Sequence, residues 1–295
     1  MSRPAFPTLA YEVVDVFTDR PFAGNPLAVV LDADDLPDEA LQALAAEFAL
    51  SETAFPMQAG DGADYRLRIF TPEVELPFAG HPSVGAAWVL HRLGRLPTGD
   101  VVQSCGAGQL PVRVSAEEVV LSGGRLTCGS ELDPGPLLAA VGLHVADLAG
   151  APRRAGCGID FTYLPVTDDA LARTMPDLPA LRRLGLGTGV SVTAWRPGEA
   201  HSRVFVPGVG VAEDPATGSA ALGLGAYLAA AGALADGETR YLVRQGAHMG
   251  RPSTMRCTVR IEGGAATAAT VAGSVVPVAR GQVRRPDAGA SARRS

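Results

Sequence analysis

The chain has 295 residues, of which 47% are apolar, 19% charged and 5% aromatic; this composition excludes a disordered protein and suits two packed units of about 140 residues each. A formal net charge of −6 argues against nucleic acid or an anionic membrane surface as partner and leaves a small molecule. Cys105, Cys128, Cys157 and Cys257 have no paired spacing, so neither a metal site nor a disulfide framework is expected, and a reducing cytoplasm is. The N-terminus lacks a basic segment followed by an apolar one, and no apolar run approaches the ~18 residues of a membrane span, which predicts a soluble, unexported protein.

Residues 11–17 and 27–31 read as strands joined by turn signals around Gly24-Asn25-Pro26. Leu41, Leu44, Ala45 and Phe48 recur at helical spacing within 37–50, with Asp35 as the expected N-cap. That helix delivers Glu52 to the corner before a strand at 53–57. A strand at 65–70 and a Pro- and Gly-bearing loop at 73–80 lead into a helix at 82–93 that is apolar nearly all round. A second such helix is expected at 215–231, so each must be covered on most sides by sheet. Gly94 and Gly232 fall where C-caps belong. Further strands are expected at 101–104, 109–114, 241–244 and 254–261, and 122–136 reads as a crossover. The segment 284–295 has no periodicity and is expected to be a disordered tail.

Much of this pattern occurs twice. GHPSVGAAW at 80–88 and EDPATGSAA at 213–221 share the frame xPxxGxA, with His81 matched to Asp214 at an offset of 133. Flanking segments repeat at similar offsets. Residues 68–72 match 203–207 at 135, and 51–55 match 191–195 at 140, as 105–107 match 245–247. Offsets this close predict a duplicated unit with its boundary near residue 120.

Departures between the copies point to chemistry. Glu52 stands opposite Val192, an acid among apolar neighbours where the other copy is apolar. It is either an ordinary helix-end glutamate or a general acid/base whose pKa is raised towards neutrality. His81 and Asp214 each precede a Pro-started helix. Asp214 serves equally well as a plain N-cap, while histidine is a poor cap and fits a neutral proton donor or acceptor. Gly218 and Ser219 keep one helix start thin enough for a ligand to reach backbone N–H groups. The run 185–189 has glycines spaced like a dinucleotide loop, but it follows a helix and precedes a strand, the reverse of the required order. No metal motif is present, so cofactor-free and metal-free chemistry is expected.

FAGNPLAVV at 22–30, LSETAF at 50–55, RIFTPEVELPFAGHPSVGAA at 68–87, EDPATGSAA at 213–221 and QGAHMGRPS at 245–253 resemble the PhzF family of phenazine-biosynthesis-like isomerases, within the diaminopimelate epimerase-like superfamily. The resemblance implies an α/β (α+β) fold of two pseudo-symmetric halves, each a mixed β-sheet wrapped around a central helix, and a homodimer. The halves would be 1–120 and 121–272, with a strand at 273–279 returning to the first. It also implies Glu52 as proton shuttle, His81 and Asp214 as groups that bind and polarise a small carboxylate substrate, and Ser51, Gly80, Gly218, Ser219 and Asn25 as substrate-binding residues. Because no cysteine lies at either helix start, one-base proton transfer is expected over two-thiol racemisation. Epimerisation, elimination of water and non-catalytic binding remain alternatives.

Overall fold

The computed structural model describes residues 6–60, 62–208 and 211–286. The first copy comprises β1 (Thr8–Val16), β2 (Asn25–Val30), α1 (Asp38–Phe48), β3 (Glu52–Met57), β4 (Tyr65–Phe70), β5 (Glu75–Leu76), α2 (Gly80–Arg92), β6 (Gly99–Cys105), β7 (Gly108–Val114) and β8 (Val119–Ser122). After β9 (Leu126–Glu131) and α3 (Pro134–Ala140), the second copy repeats the pattern. It runs through β10 (Arg153–Cys157), β11 (Ile159–Pro165), α4 (Asp168–Arg173), α5 (Leu178–Arg183), β12 (Val190–Arg196), β13 (Glu199–Val206), β14 (Val211–Asp214) and α6 (Gly218–Ala230). It closes with β15 (Gly237–Gln245), β16 (Ser253–Glu262), β17 (Ala265–Gly273) and β18 (Val275–Arg284).

Strand pairing repeats in order and in sense. β2 runs parallel to β3 as β11 does to β12, and β4 parallel to β6 as β13 does to β15. The pairs β1–β2, β3–β4, β6–β7 and β7–β8 are antiparallel, like β10–β11, β12–β13, β15–β16 and β16–β17. The copies join where β8 pairs antiparallel with β17. Beyond that seam each chain segment continues into the other copy: β9 pairs with β10, and β18 pairs with β1 along its whole length. The segment expected as a plain crossover at 122–136 therefore contains a strand, because the seam supplies it with a partner.

Each curled sheet encloses one helix. Every residue from Gly80 to Leu90 of α2 and from Gly218 to Ala229 of α6 is buried. Glycine inside a helix lowers its stability by about 1 kcal/mol relative to alanine, yet α2 and α6 carry it where the sheet comes closest. A side chain at Gly85 would meet Leu27 Cδ2 at 2.6 Å, and one at Gly223 would meet the Tyr163 hydroxyl at 2.5 Å. Gly94 and Gly232 follow the two helices with φ of 71° and 68°, the left-handed turn-off expected of them.

Three local expectations are corrected. The N-cap of α1 is Pro37, which offers no capping side chain; Asp35 is instead drawn to the guanidinium of Arg285. α6 starts at Gly218 behind Thr217 rather than at Pro215, because Asp214 is held in strand pairing with Val204. Arg284 closes β18 and the Arg285 N–H donates to the Pro7 carbonyl at 2.8 Å, so these two residues of the expected tail are ordered. Residues 287–295 of that call lie outside the described residues. Among the described residues, no helix is long and apolar enough to cross a membrane.

Candidate active site

Glu52 opens β3 three residues after Ala49, which ends α1 in the left-handed region with φ of 51°. The parallel register sets Glu52 opposite Leu27, just as the other copy sets Val192 opposite Leu164. Glutamate thus occupies a slot built for an aliphatic side chain. Asn25, at the start of the neighbouring β2, is fully buried. His81 lies in the first turn of α2, 3% exposed, and Asp214 ends β14.

Asn25 connects these groups. Its Nδ2 donates to Asp214 Oδ1 at 2.8 Å and to the Ala216 carbonyl at 2.9 Å, and lies 3.2 Å from His81 Nδ1. Its Oδ1 accepts from the Ser51 hydroxyl at 3.0 Å. The Ala216 carbonyl can only accept, which fixes the orientation of the amide. The two hydrogens of that nitrogen are directed at Asp214 and Ala216 and it cannot accept, so a proton on His81 Nδ1 would point at a donor; the contact favours the neutral ring with its proton on Nε2. That Nε2 stands 3.6 Å from Glu52 Oε2, and neither atom has a hydrogen-bond partner among the described residues. The separation is too long for a hydrogen bond. Two reactive atoms face each other unsatisfied.

Burial dominates the electrostatics. It pushes the Glu52 carboxyl up to about 8, with the charge of Asp214 adding to the rise and Ser51 opposing it. Burial raises Asp214 to about 6, against hydrogen bonds from Thr217 and Asn25 that favour its ionised form. His81 is pushed down to about 3 by burial and is neutral throughout the physiological range. The pair Glu52 and His81 is therefore an acid and a neutral imidazole rather than an ion pair.

The two helix starts meet directly. A side chain at Gly80 would lie 2.8 Å from Ser219 N and 2.9 Å from Gly218 Cα, and one at Gly218 would lie 3.3 Å from Gly80 Cα. The backbones of these two glycines abut, and the first-turn N–H groups of both helices, which lack intrahelical acceptors, are brought together around that contact.

Asn25, Ser51, Glu52, Gly80, His81, Asp214, Gly218 and Ser219 are thus all placed at or beside one junction of β2, β3, α2 and α6. Asn25 has its polar atoms engaged within the protein and acts on its neighbours. Sequence reasoning missed Thr217, whose hydroxyl donates to Asp214 Oδ2 at 2.5 Å, and Gln245, whose Nε2 donates to the Asp214 carbonyl at 2.7 Å and lies 3.0 Å from Thr217 Oγ1. The comparison of copies carried a signal for Gln245, because Cys105 occupies its place in the first copy. Among the described residues no group of three or more His, Cys, Asp or Glu is gathered as metal ligands would be.

The family model described as "Phenazine biosynthesis-like protein" matches residues 14–129 and 140–281. An uncharacterized isomerase of Mesorhizobium japonicum is 35% identical, across 94% of this chain and 99% of its own. A trans-2,3-dihydro-3-hydroxyanthranilate isomerase of Pseudomonas fluorescens is 33% identical, across 92% and 98%. The crystal structure of a PhzF-family phenazine biosynthesis protein of Bacillus anthracis is 26% identical and superposes with a TM-score of 0.85, across 94% of this chain and 99% of that one. The fold is the diaminopimelate epimerase-like arrangement that the motifs implied.

Proposed function

The chain is an isomerase of the phenazine biosynthesis-like family, and from that premise we propose that it moves a proton along one face of a small carboxylate-bearing metabolite without a cofactor, with Glu52 as the shuttle. The observation that carries this reading is the buried Glu52 Oε2 facing His81 Nε2 at 3.6 Å, both without a hydrogen-bond partner among the described residues. In the reaction so read, ionised Glu52 takes a proton from a C–H made acidic by a neighbouring unsaturated group, and the electron pair of that bond delocalises into the substrate. Glu52–H then returns the proton to a different carbon, restoring the carboxylate. His81 donates from Nε2–H to the atom on which negative charge develops, and stays neutral because its burial disfavours the imidazolium. Asp214 keeps Glu52 basic through its charge, and Asn25 and Ser51 hold the geometry.

The substrate carboxylate is read as held by the first-turn N–H groups of α2 and α6 and by Ser219, where two helix N-termini favour an anion by about 0.3–1 kcal/mol each. The partner is a small molecule and not nucleic acid or membrane, in keeping with the net charge of −6. A cytoplasmic location is supported by four free thiols, and a homodimer is the assembly to be tested by sedimentation.

The first substrate to offer is trans-2,3-dihydro-3-hydroxyanthranilate, the compound in the name of a relative 33% identical to this chain. Turnover in D₂O, with the position of deuterium and the product mass determined, decides the reaction. Retention of all substrate atoms with the double bond moved supports isomerisation, loss of water means elimination, and inversion at one carbon means epimerisation.

A further inference from the structure

The turn that delivers Asn25 is conformationally expensive. Between β1 and β2, Phe17, Phe22 and Gly24 all have positive φ, of 65°, 65° and 66°, and two of the three are phenylalanines in a region that side chains other than glycine avoid. Such a turn persists only if its surroundings over-determine it, and here the restraint comes from the other copy.

Arg251, between β15 and β16, reaches across the junction. Its Nε donates to the Gly24 carbonyl at 2.8 Å, and one terminal nitrogen donates to the Ala23 carbonyl at 2.9 Å and to Asp15 Oδ1 at 2.5 Å. Asp15, buried on β1, accepts from the Phe22 N–H with its other oxygen at 2.6 Å. Backbone bonds reinforce the grip: the Gly24 N–H donates to the Pro252 carbonyl at 3.2 Å, and the Thr254 N–H to the Phe17 carbonyl at 2.8 Å. On its other side the same loop holds the strand that carries Asp214. Ser253 donates to the Pro215 carbonyl at 2.9 Å, and Gly246 permits an approach so close that a side chain there would meet the Arg251 and Pro215 carbonyls at 2.3 and 2.5 Å. One loop therefore fixes both ends of the Asn25–Asp214 hydrogen bond.

We propose that Arg251, acting through Asp15 and the 17–24 turn, is a positioning residue that sets Asn25 against His81 and so keeps the imidazole proton on Nε2, aimed at Glu52 and the substrate. Arginine suits the task because its planar fork satisfies three oxygens at fixed angles, which a lysine ammonium on a flexible stem does not. The inference rests on His81 and Glu52 being the reacting pair, but its geometric part stands without substrate.

The test uses the full-length protein with two variants. Arg251→Lys retains the charge beside Asp15 and loses the fork, and Asp15→Asn with Arg251→Met removes both charges of the pair together, which keeps the fold from carrying an unpaired buried carboxylate. The first readout is the ¹⁵N spectrum of His81 in the ligand-free protein, the second kcat and KM on trans-2,3-dihydro-3-hydroxyanthranilate. The wild-type protein is expected to show the Nε2–H tautomer alone; both variants should show a mixture of tautomers, with kcat lowered tenfold or more and KM within about threefold, as expected when an oriented group loses its alignment. Folded variants that retain the single tautomer overturn the proposal, whatever their activity, and so does a wild-type protein with its proton on Nδ1. Should the wild type not turn this compound over, the proposed function fails on it while the tautomer measurement still decides the role of Arg251.

Discussion

Glu52 Oε2 and His81 Nε2 face each other at 3.6 Å, both buried and, among the described residues, both without a hydrogen-bond partner. Atoms in that condition are rare in folded proteins, because an unsatisfied buried polar group destabilises the fold by about 1–3 kcal/mol. The expected explanation is a substrate that completes the pair. Glu52→Gln keeps the size of the side chain and removes its titrating group. It should lower kcat by at least about 10²-fold, the usual contribution of a general base, while substrate binding is largely retained. Single-turnover kinetics with a binding isotherm checks this, and a fully active Gln variant would remove Glu52 from the mechanism.

The pH profile follows from the same carboxyls. Burial and then the charge of Asp214 bring Glu52 up to about 8, while burial brings Asp214 to about 6. A base must be ionised to accept a proton, so kcat/KM should climb with pH through about 8 and level off above it. The rising limb belongs to the interacting pair rather than to one residue. Asp214→Asn removes the second cause of the Glu52 shift, so in that variant the limb should move to lower pH. A limb that stays in place or moves upward would mean that Asp214 does not act on Glu52 through its charge.

Stability should carry a matching signature. Between 4.5, the ordinary value for a glutamate, and about 8, the folded protein retains on Glu52 a proton that the unfolded chain has released. Unfolding becomes easier as pH rises through that window. Glu52→Gln has no proton to release, and the neighbouring His81 and Asp214 titrate in both proteins. The stability of the Gln variant relative to wild type should therefore grow with pH from about 4.5 to about 8, by up to about 1.4 kcal/mol per pH unit, and be flat on either side. Urea unfolding of both proteins across pH 4 to 9 reads this directly, and parallel curves would contradict a buried, neutral Glu52.

The site was legible where chemistry departs from the repeat. Glu52 stands out because Val192 occupies the same register position in the other copy, and the two Pro-bearing frames bring His81 into the first turn of α2 and Asp214 to the end of the strand that leads into α6. Boundaries were less legible. Asp214 has the chemistry of an N-cap, and local sequence could not show that Asn25, 189 residues away, claims its carboxylate and leaves the cap position to Thr217. Asp35 is similar: its capping role is lost to Arg285, a partner that exists only once β18 has returned beside β1. The role of Asn25 as the link between His81 and Asp214 also depends on contacts between copies, which no periodicity encodes. The strand in 126–131 was hidden because its residues are mostly exposed and it forms only against β10.

The contact between helix starts can be tested at its two glycines, which should respond unequally. A methyl group at Gly80 would meet Ser219 N at 2.8 Å and Gly218 C and Cα at 2.9 Å, all backbone atoms inside a packed junction. At Gly218 the nearest atom is Phe17 Cζ at 3.1 Å, with the Gly80 backbone at 3.3 Å. Backbone yields less readily than a ring, so Gly80→Ala should destabilise by about 1–3 kcal/mol, the range for overpacking, and Gly218→Ala by less. Separating the helix starts also moves His81 away from Glu52, so kcat should fall in Gly80→Ala even where the protein is fully folded. The double variant should lose less stability than the two single losses combined, because the first methyl opens the space that the second would occupy. Denaturant midpoints at unchanged slope measure all three. A Gly80→Ala protein as stable and as active as wild type would show that the backbones of α2 and α6 do not meet there.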